Sequence, residues 1–509
     1  MSHDKHNKSA ASSTDAPGAG GELELKFQVP EAALASLRAA LRAHGARSQR
    51  LRAHYFDTSN ARLARARIAL RLRLEGRHWI QTVKTEGQGI AHRMEHEVRV
   101  VGVPGRVPPI DPQRHVDSDA GKVLDASLQA APNGGLTERF ATDVQRLACR
   151  IGIDRGGSVE AALDIGEVSA GGRTAPIAEL ELEHKDGPTQ DLFDLAIAWI
   201  EHGGLWLSAI TKAERGERLL QSQRAAPAAK AQQPQLPQRP DGATVMRALL
   251  QATLQQVIAN ASTVADGEEQ AEVIHQLRVG LRRLRTVLRE LSALSPAIKP
   301  EWDATLSAAF GKLGQQRDHE VVSEAVRPLL QSVSAPLLTW TPPERIDPLA
   351  VVRDSRFQVT LVAILALAHG DAALFAPLTP QATRALLAET LDGLYRKVER
   401  DGRRFERLPL EAQHQVRKRL KRLRYLAELT APLWPGHEVQ VWLKRVNAAQ
   451  DALGHHNDVA VAAASFRNEA RTQSTAWFAA GYLQARLAVT ARAARKELTK
   501  TLDEKCFWR

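Results

Sequence analysis

The sequence predicts a chain of two classes, an α+β N-terminal half followed by an all-α C-terminal half. Three observations carry this. Over residues 22–220, short runs alternate apolar and polar residues between turn signals, which is the period of strands. Over 241–509, Leu, Ala, Arg and Gln recur at helical spacing, as in a bundle or solenoid. Between them, residues 221–240 read QSQRAAPAAKAQQPQLPQRP, a composition suited to an extended interdomain linker. Residues 1–21 are small and polar and are expected to be a tail outside the fold.

The chain has 509 residues and a formal net charge of +11. Its 43% hydrophobic and 25% charged content is that of a globular protein able to bury sizeable cores. Two cysteines, Cys149 and Cys506, are too few for a disulfide framework or a thiolate metal site and fit a reducing compartment. No run approaches the roughly 18 apolar residues of a membrane span, and the first residues lack an export core. A cytoplasmic protein with no membrane partner is expected. The positive balance predicts an anionic partner without choosing among nucleic acid, phosphate ligands and membrane surface.

In the first half, helical spacing marks only Glu31–Ala43 and residues 189–201. The strand-like runs place charge on alternate positions: Glu22, Glu24 and Lys26; Arg71 and Arg73; Arg93, Glu95, Glu97 and Arg99; Glu179, Glu181 and Glu183. One face of each strand is then charged and the other apolar. Carboxylates gather on the first and last of these strands, and Arg and Lys populate those between, a segregation unlike an ordinary solvated face. A sheet that closes with these faces inward makes a tunnel lined by both signs. Guanidinium and ammonium groups suit phosphate oxygens, and paired carboxylates suit hard divalent cations. A polyphosphate with its metal satisfies both, and phosphoryl transfer asks mainly for such positioning and charge neutralisation.

The ordered set Glu22-x-Glu24-x-Lys26, Tyr55-Phe56-Asp57-Thr58, Leu70-Arg71-Leu72-Arg73, Thr82-Val83-Lys84, Arg146, Leu163-Asp164-Ile165-Gly166, the acidic strand from Glu179 to Glu183, and Ser208 to Gly216 resembles the CYTH domains of the triphosphate tunnel metalloenzymes over residues 22–220. The resemblance implies a closed eight-stranded antiparallel β tunnel, a triphosphate substrate, and Mg2+ or Mn2+ as cofactor. In that reading Lys26, Arg71, Arg73, Lys84, Arg146 and Lys212 hold phosphates. Glu22, Glu24, Asp164, Glu179 and Glu181 hold metal or orient water, with Lys26, Glu22 and Glu24 central to catalysis. The place of Arg93, Glu95, Glu97 and Glu183 stays open, and Tyr55 and Phe56 are expected to pack.

The second half repeats itself. His275, Arg278, Arg282, Arg283 and Arg285 recur as His414, Arg417, Lys421, Arg422 and Arg424, an offset of 139 residues. Leu313-Gly314 with Arg317-Asp318 recurs as Leu453-Gly454 with Asn457-Asp458 at an offset of 140. Two stacked copies of one helical unit are expected. On a helix, His275, Arg278, Arg282, Arg285 and Arg289 fall within an arc of about 80°, and His414, Arg417, Lys421 and Arg424 repeat it. No acidic residue lies between His275 and Arg289 or between His414 and Arg424, so the stripes are expected to face an anion.

These motifs resemble the CHAD family, conserved-histidine α-helical domains, over residues 241–509. The resemblance implies two pseudo-symmetric helical bundles and a basic channel binding inorganic polyphosphate through those nine residues. An inorganic triphosphatase with an attached polyphosphate-binding domain, in the cytoplasm or at polyphosphate granules, is therefore expected. Two alternatives are a non-catalytic polyphosphate-binding protein and a hydrolase of an organic triphosphate such as thiamine triphosphate or a nucleotide. A specific nucleic-acid role is disfavoured, because only Tyr425 stands near a basic stripe to stack bases. The oligomeric state is left open.

Overall fold

The computed structural model describes residues 22–86, 92–102, 106–129, 135–153, 156–222, 227–314, 324–336 and 346–509, without the side chains of Glu22, Glu86, His92 and Arg93. Alternation builds the N-terminal sheet. Leu23, Leu25 and Phe27 of β1 (Glu22–Gln28) enter the core, which leaves Glu24 and Lys26 on the opposite face. The other strands are β2 (Arg47–Thr58), β3 (Ala69–Glu75), β4 (His78–Glu86), β5 (His92–Val100), β6 (Leu136–Gly152), β7 (Ser158–Ala170), β8 (Arg173–Asp186) and β9 (Trp206–Leu207). Their order is β5-β4-β3-β2-β6-β7-β8-β1-β9, antiparallel at each pairing. A further pairing of β1 with β5 sets Glu22 opposite Arg93 and Leu23 opposite His92. Closure of the eight expected strands is thus confined to a seam two residue pairs wide, and a ninth short strand pairs antiparallel with the end of β1.

Helices α1 (Glu31–Ala43) and α4 (Gln190–Gly203) cover the outer, apolar face, where Leu37, Leu41, Phe193 and Ile200 meet Leu25, Phe27 and Leu180. Both were expected. Three more helices were not: α2 (Arg62–Arg65), α3 (Asp119–Gln129) and α5 (Lys212–Leu220). Helix α5 is short and mostly charged, with only Ala213, Leu219 and Leu220 as apolar side chains. Its local signal is a capping box, in which Thr211 accepts from the Glu214 amide and Glu214 accepts from the Thr211 amide. It packs on the inner face of the sheet, with Ala213, Leu219 and Leu220 against the cluster of Tyr55, Phe140, Val168 and Ile177.

The C-terminal half is helical throughout its described residues: α6 (Gly242–Ala265), α7 (Ala271–Glu290), α8 (Pro300–Lys312), α9 (324–331), α10 (Pro348–Val352), α11 (Ser355–His369), α12 (Pro380–Gly402), α13 (Leu410–Thr430), α14 (His437–Glu469) and α15 (Ala476–Leu502). Helices α6, α7, α8 and α11 pack as one bundle and α12, α13, α14 and α15 as another, and α7 lies against α13 between them. The two copies expected from the repeat are these bundles.

Residues 227–240, within the expected extended linker, are docked on the helical half. The Ala229 backbone exchanges hydrogen bonds with the Asn260 side chain at 3.0 and 2.9 Å, and Arg283 donates to the Gln232 carbonyl at 3.4 Å. Ala228 and Leu236 pack on the core. The segment lacks apolar residues for a core of its own, but two are enough to seat it on a neighbour's. Across the junction, Leu207 N donates to Gln358 Oε1 at 2.8 Å, Ala209 N donates to Ser262 Oγ at 2.9 Å, and the Arg353 guanidinium lies 4.1 Å from the Trp206 ring centre. One cluster of buried side chains runs from Leu23 through Met246 to Trp508, so the halves share a core. No described helix is long and apolar enough to cross a membrane.

Candidate functional site

Strand register assembles the first site. Tyr55 stands opposite Arg71, Arg146 opposite Asp164, Asp164 opposite Glu179, and Glu181 opposite Lys26. All these side chains share the inner face. A slip of one residue would drive the charges into the leucine core, so the register is strongly specified. Glu24, Lys26, Arg71, Arg73, Lys84, Arg146, Asp164, Glu181 and Lys212 line a cavity of about 540 Å³.

At the acidic side of the cavity Asp164, Glu179 and Glu181 each offer one carboxylate oxygen, all within 4.8 Å of one another. Lys212, the first residue of α5, sets Nζ 2.8 Å from Asp164 Oδ2 and 2.9 Å from Glu181 Oε1, and also touches Glu179. Arg146 donates to both oxygens of Asp164 and to Glu181 Oε2, the last at 2.6 Å. Lys26 Nζ stands 3.6 Å from Glu181 Oε1. Burial opposes the charge on Glu181, but Lys212, Arg146 and Lys26 together hold its carboxyl well below the ordinary range. Burial opposes the charge on Lys212 too, and the three carboxylates still raise it well above a usual lysine.

Across the cavity, Lys84 Nζ lies 2.5 Å from Glu95 Oε2 and Arg71 Nη2 lies 3.7 Å from Glu95 Oε1. Arg73 pairs with Glu97 at 3.2 Å and also with Glu75. Against the effect of burial, Lys84 and Arg71 hold the Glu95 carboxyl down at about 2. Glu95 and Glu97, whose place was open, are thus counter-ions of the cationic wall. Arg71 Nε and Arg73 Nε are buried with no hydrogen-bond partner, donors left for an anion's oxygens. Glu183 lies outside the acidic triad, opposite Glu24 and Glu160 and paired with Lys185 at 2.6 Å. Glu22 is placed at the start of β1 beside the seam, and its side chain lies outside the described residues. Tyr55, expected only to pack, stacks on Phe140 at 4.6 Å between centroids and also takes Arg71 Nη1 at 3.5 Å on its hydroxyl.

The triad fits a hard divalent cation. Its donors are carboxylate oxygens, and Glu179 Oε1 is buried without a hydrogen bond, held only by the neighbouring ammonium charge.

The second site lies between α7 and α13. His275, Arg278, Arg282, Arg285, Arg289, His414, Arg417 and Lys421 line a cleft of about 860 Å³, joined by Lys418, Arg422, Asn457 and Asp458. Arg278 and Arg282 lie 4.7 and 4.6 Å from the Phe310 ring centre, which orients both guanidinium planes. Two expectations are corrected. Arg424 turns from the cleft to Asn447 Oδ1 at 2.9 Å and stacks over Tyr425, because Glu428, one turn on, draws it away. Arg285 is compensated by Asp303 of α8 at 2.8 Å, a partner distant in sequence and so invisible in the stripe. Arg283 and Arg422, aligned as part of the repeat, are ties: Arg283 to Gln256 Oε1 at 3.0 Å and Arg422 to Glu290 at 2.9 Å. His414 contacts Asn457 Oδ1 at 2.6 Å, so the Asn-Asp of the second motif belongs to the cleft. Its counterpart, Arg317-Asp318, lies outside the described residues.

The tail Phe507-Trp508 packs on Trp442 and Trp434. His456 is buried between Thr490 and Gln413.

Fold and site together define a charge-lined antiparallel sheet joined to a helical body with a cationic cleft. The CYTH-domain family model matches residues 21–216 and the CHAD-domain model residues 248–467, so the chain contains a CYTH domain followed by a CHAD domain. The inorganic triphosphatase of Haemophilus influenzae is 28% identical over 165 residues, 32% of this chain, and the match spans 44% of that relative's length. Among solved structures, the CHAD domain from the plant Ricinus communis aligns at 25% identity over 54% of this chain and 96% of that one, with a TM-score of 0.44. PptA from Streptomyces chartreusis aligns at 22% identity over 52% of this chain and 99% of that one, with a TM-score of 0.38.

Proposed function

We propose that the tunnel hydrolyses inorganic triphosphate to pyrophosphate and phosphate with Mg2+, Mn2+ serving in its place, and that the helical cleft binds inorganic polyphosphate. The observation that carries the first part is the triad of Asp164, Glu179 and Glu181, matched in one cavity by Lys212, Arg146 and Lys26. Each cation now satisfies a carboxylate, so a metal–phosphate ligand exchanges partners inside the site and leaves few charges bare. Asp164, Glu179 and Glu181, with Glu24 beside them, would hold the cation, which would neutralise phosphate charge and lower the pKa of a water. Arg146, Lys212 and Lys26 turn from the carboxylates to phosphate oxygens, and Arg71, Arg73 and Lys84 grip the far phosphates from the opposite wall. Charge gathering on the equatorial oxygens is then met by these donors once the ligand is seated.

Phosphate release from triphosphate, measured with Mg2+, with Mn2+ and with a chelator, tests this reading. No release under any condition would leave the alternative of a polyphosphate-binding protein that targets granules. Release only from thiamine triphosphate or a nucleotide would favour the organic-substrate alternative. The cleft, with eight of the nine expected residues on its wall, supports polyphosphate over nucleic acid, for which it offers few stacking rings. A place in the cytoplasm, at polyphosphate granules, is part of this proposal.

A further inference from the structure

Helix α5 touches both the acidic triad and the helical half. Its first residue, Lys212, meets Asp164, Glu179 and Glu181, and near its middle Gly216 lies against the Phe140 ring so closely that a Cβ there would overlap it. Its outer side carries Arg215 and Arg218. Asp266, the residue that ends α6, takes Arg215 Nη1 on Oδ1 at 3.0 Å, and its Oδ2 stands 3.8 Å from Arg218 Nη1. The Arg215 side chain is only 14% exposed, and its Nε and Nη2 are buried with no hydrogen bond. Asp266 is itself held, because Arg353 fixes the preceding carbonyl, Ala265 O, at 3.1 and 2.5 Å while stacking on Trp206. The segment leading into α5 is tied the same way, through Ala209 N to Ser262 Oγ.

We propose that Asp266 is a positioning residue supplied by the helical half: by clamping Arg215 and Arg218 it sets α5, and so holds Lys212 where it meets the triphosphate. The inference rests on the reading of the tunnel as a triphosphate site. Arg215 lies three residues from Lys212, about 4.5 Å along a helix axis, so the pair move as one body over the Gly216–Phe140 contact. Without Asp266 a buried guanidinium loses its counter-ion and α5 shifts to rehydrate it. A displacement well under 1 Å at Lys212 is enough to weaken a site that works by fixed geometry. The helical half is then part of the tunnel enzyme's working structure, in addition to any ligand of its own.

The test is a double-mutant cycle in the full chain, with Asp266→Asn and Lys212→Ala alone and combined. It is read as KM and kcat for triphosphate and, in parallel, as triphosphate affinity by calorimetry without divalent cation. Asp266→Asn is expected to raise KM and weaken binding about tenfold with kcat changed less than about threefold, and Asp266→Glu to restore most of the loss. In the Lys212→Ala background, Asp266→Asn is expected to add nothing. A merely structural role would lower the active fraction, leave KM alone, and act equally in both backgrounds. Unchanged KM and affinity in Asp266→Asn, or the same loss with Lys212 absent, would overturn the proposal. Should Asp266→Asn fail to fold, Arg215→Gln carries the same cycle from the other partner. Failure of the tunnel reading shows separately, as a wild-type chain that neither hydrolyses nor binds triphosphate.

Discussion

Arg146 grips Asp164 through two parallel hydrogen bonds, Nε to Oδ1 and Nη2 to Oδ2, each 2.7 Å long. The planar fork matches the carboxylate, and the same Nη2 reaches Glu181, so one guanidinium orders two of the three acids. Lysine cannot reproduce this geometry. Arg146→Lys and Arg146→Ala are both expected to lower kcat/KM for triphosphate by about 10²-fold, the scale of a lost electrostatic stabiliser. Steady-state phosphate release checks it. Near-wild-type rates in Arg146→Lys would show that charge without the fork suffices.

The acidic triad should set the metal requirement. Asp164→Asn or Glu181→Gln keeps the shape while removing one negative oxygen donor. Each is expected to raise the Mg2+ concentration for half-maximal activity by at least about tenfold, and a chelator to abolish turnover in the wild type. Metal titrations of the rate measure both.

Gly216 has space for no side chain. Its Cβ would overlap the Phe140 ring, which is itself stacked on Tyr55 and cannot retreat. Gly216→Ala is expected to destabilise by about 1–3 kcal/mol, as overpacking does, despite the better helix propensity of alanine. Denaturant unfolding would show it, and a loss of activity exceeding the loss of folded protein would show that α5 has shifted.

In the helical half, Arg278→Glu with Arg282→Glu is expected to weaken long-chain polyphosphate binding by at least about 10²-fold and to flatten its salt dependence. Arg424→Ala, outside the cleft, should change affinity less than about threefold. Equal losses from both would mean that the cleft is not the binding surface.

Lys421 should make that binding proton-linked. Burial first, then Arg282, Arg417 and Arg424, push its ammonium down to about 6 against the usual 10.5. The unfolded chain therefore holds more protons than the folded one between about 6 and 10.5, so this lysine's penalty on stability shrinks as pH rises through that window and is fullest below about 6. A bound polyanion restores the charge, so binding near pH 8 takes up a proton and tightens as pH falls. Calorimetry in two buffers of different ionisation enthalpy is expected to register an uptake that diminishes in Lys421→Met. An undiminished uptake would assign the proton elsewhere.

Much of the site was legible because strand and helix periods are local. A two-residue alternation already put Glu24 with Lys26, Arg71 with Arg73, and Glu179 with Glu181 on shared faces, and the helical period put His275, Arg278, Arg282, Arg285 and Arg289 on one stripe. The chain order of these motifs also pointed to the two families and the boundary between a sheet and a helical body. Partners distant in the chain were decided only by the tertiary structure: that Asp303 compensates Arg285, that Arg424 leaves the cleft, that Glu95 and Glu97 serve the cationic wall, and that Asp266 reaches α5. Repeating patterns specify which way a side chain faces relative to its neighbours along the backbone. They do not specify which surface is packed against that face, because this depends on burial summed over the whole core, and here that core runs without a break through both halves.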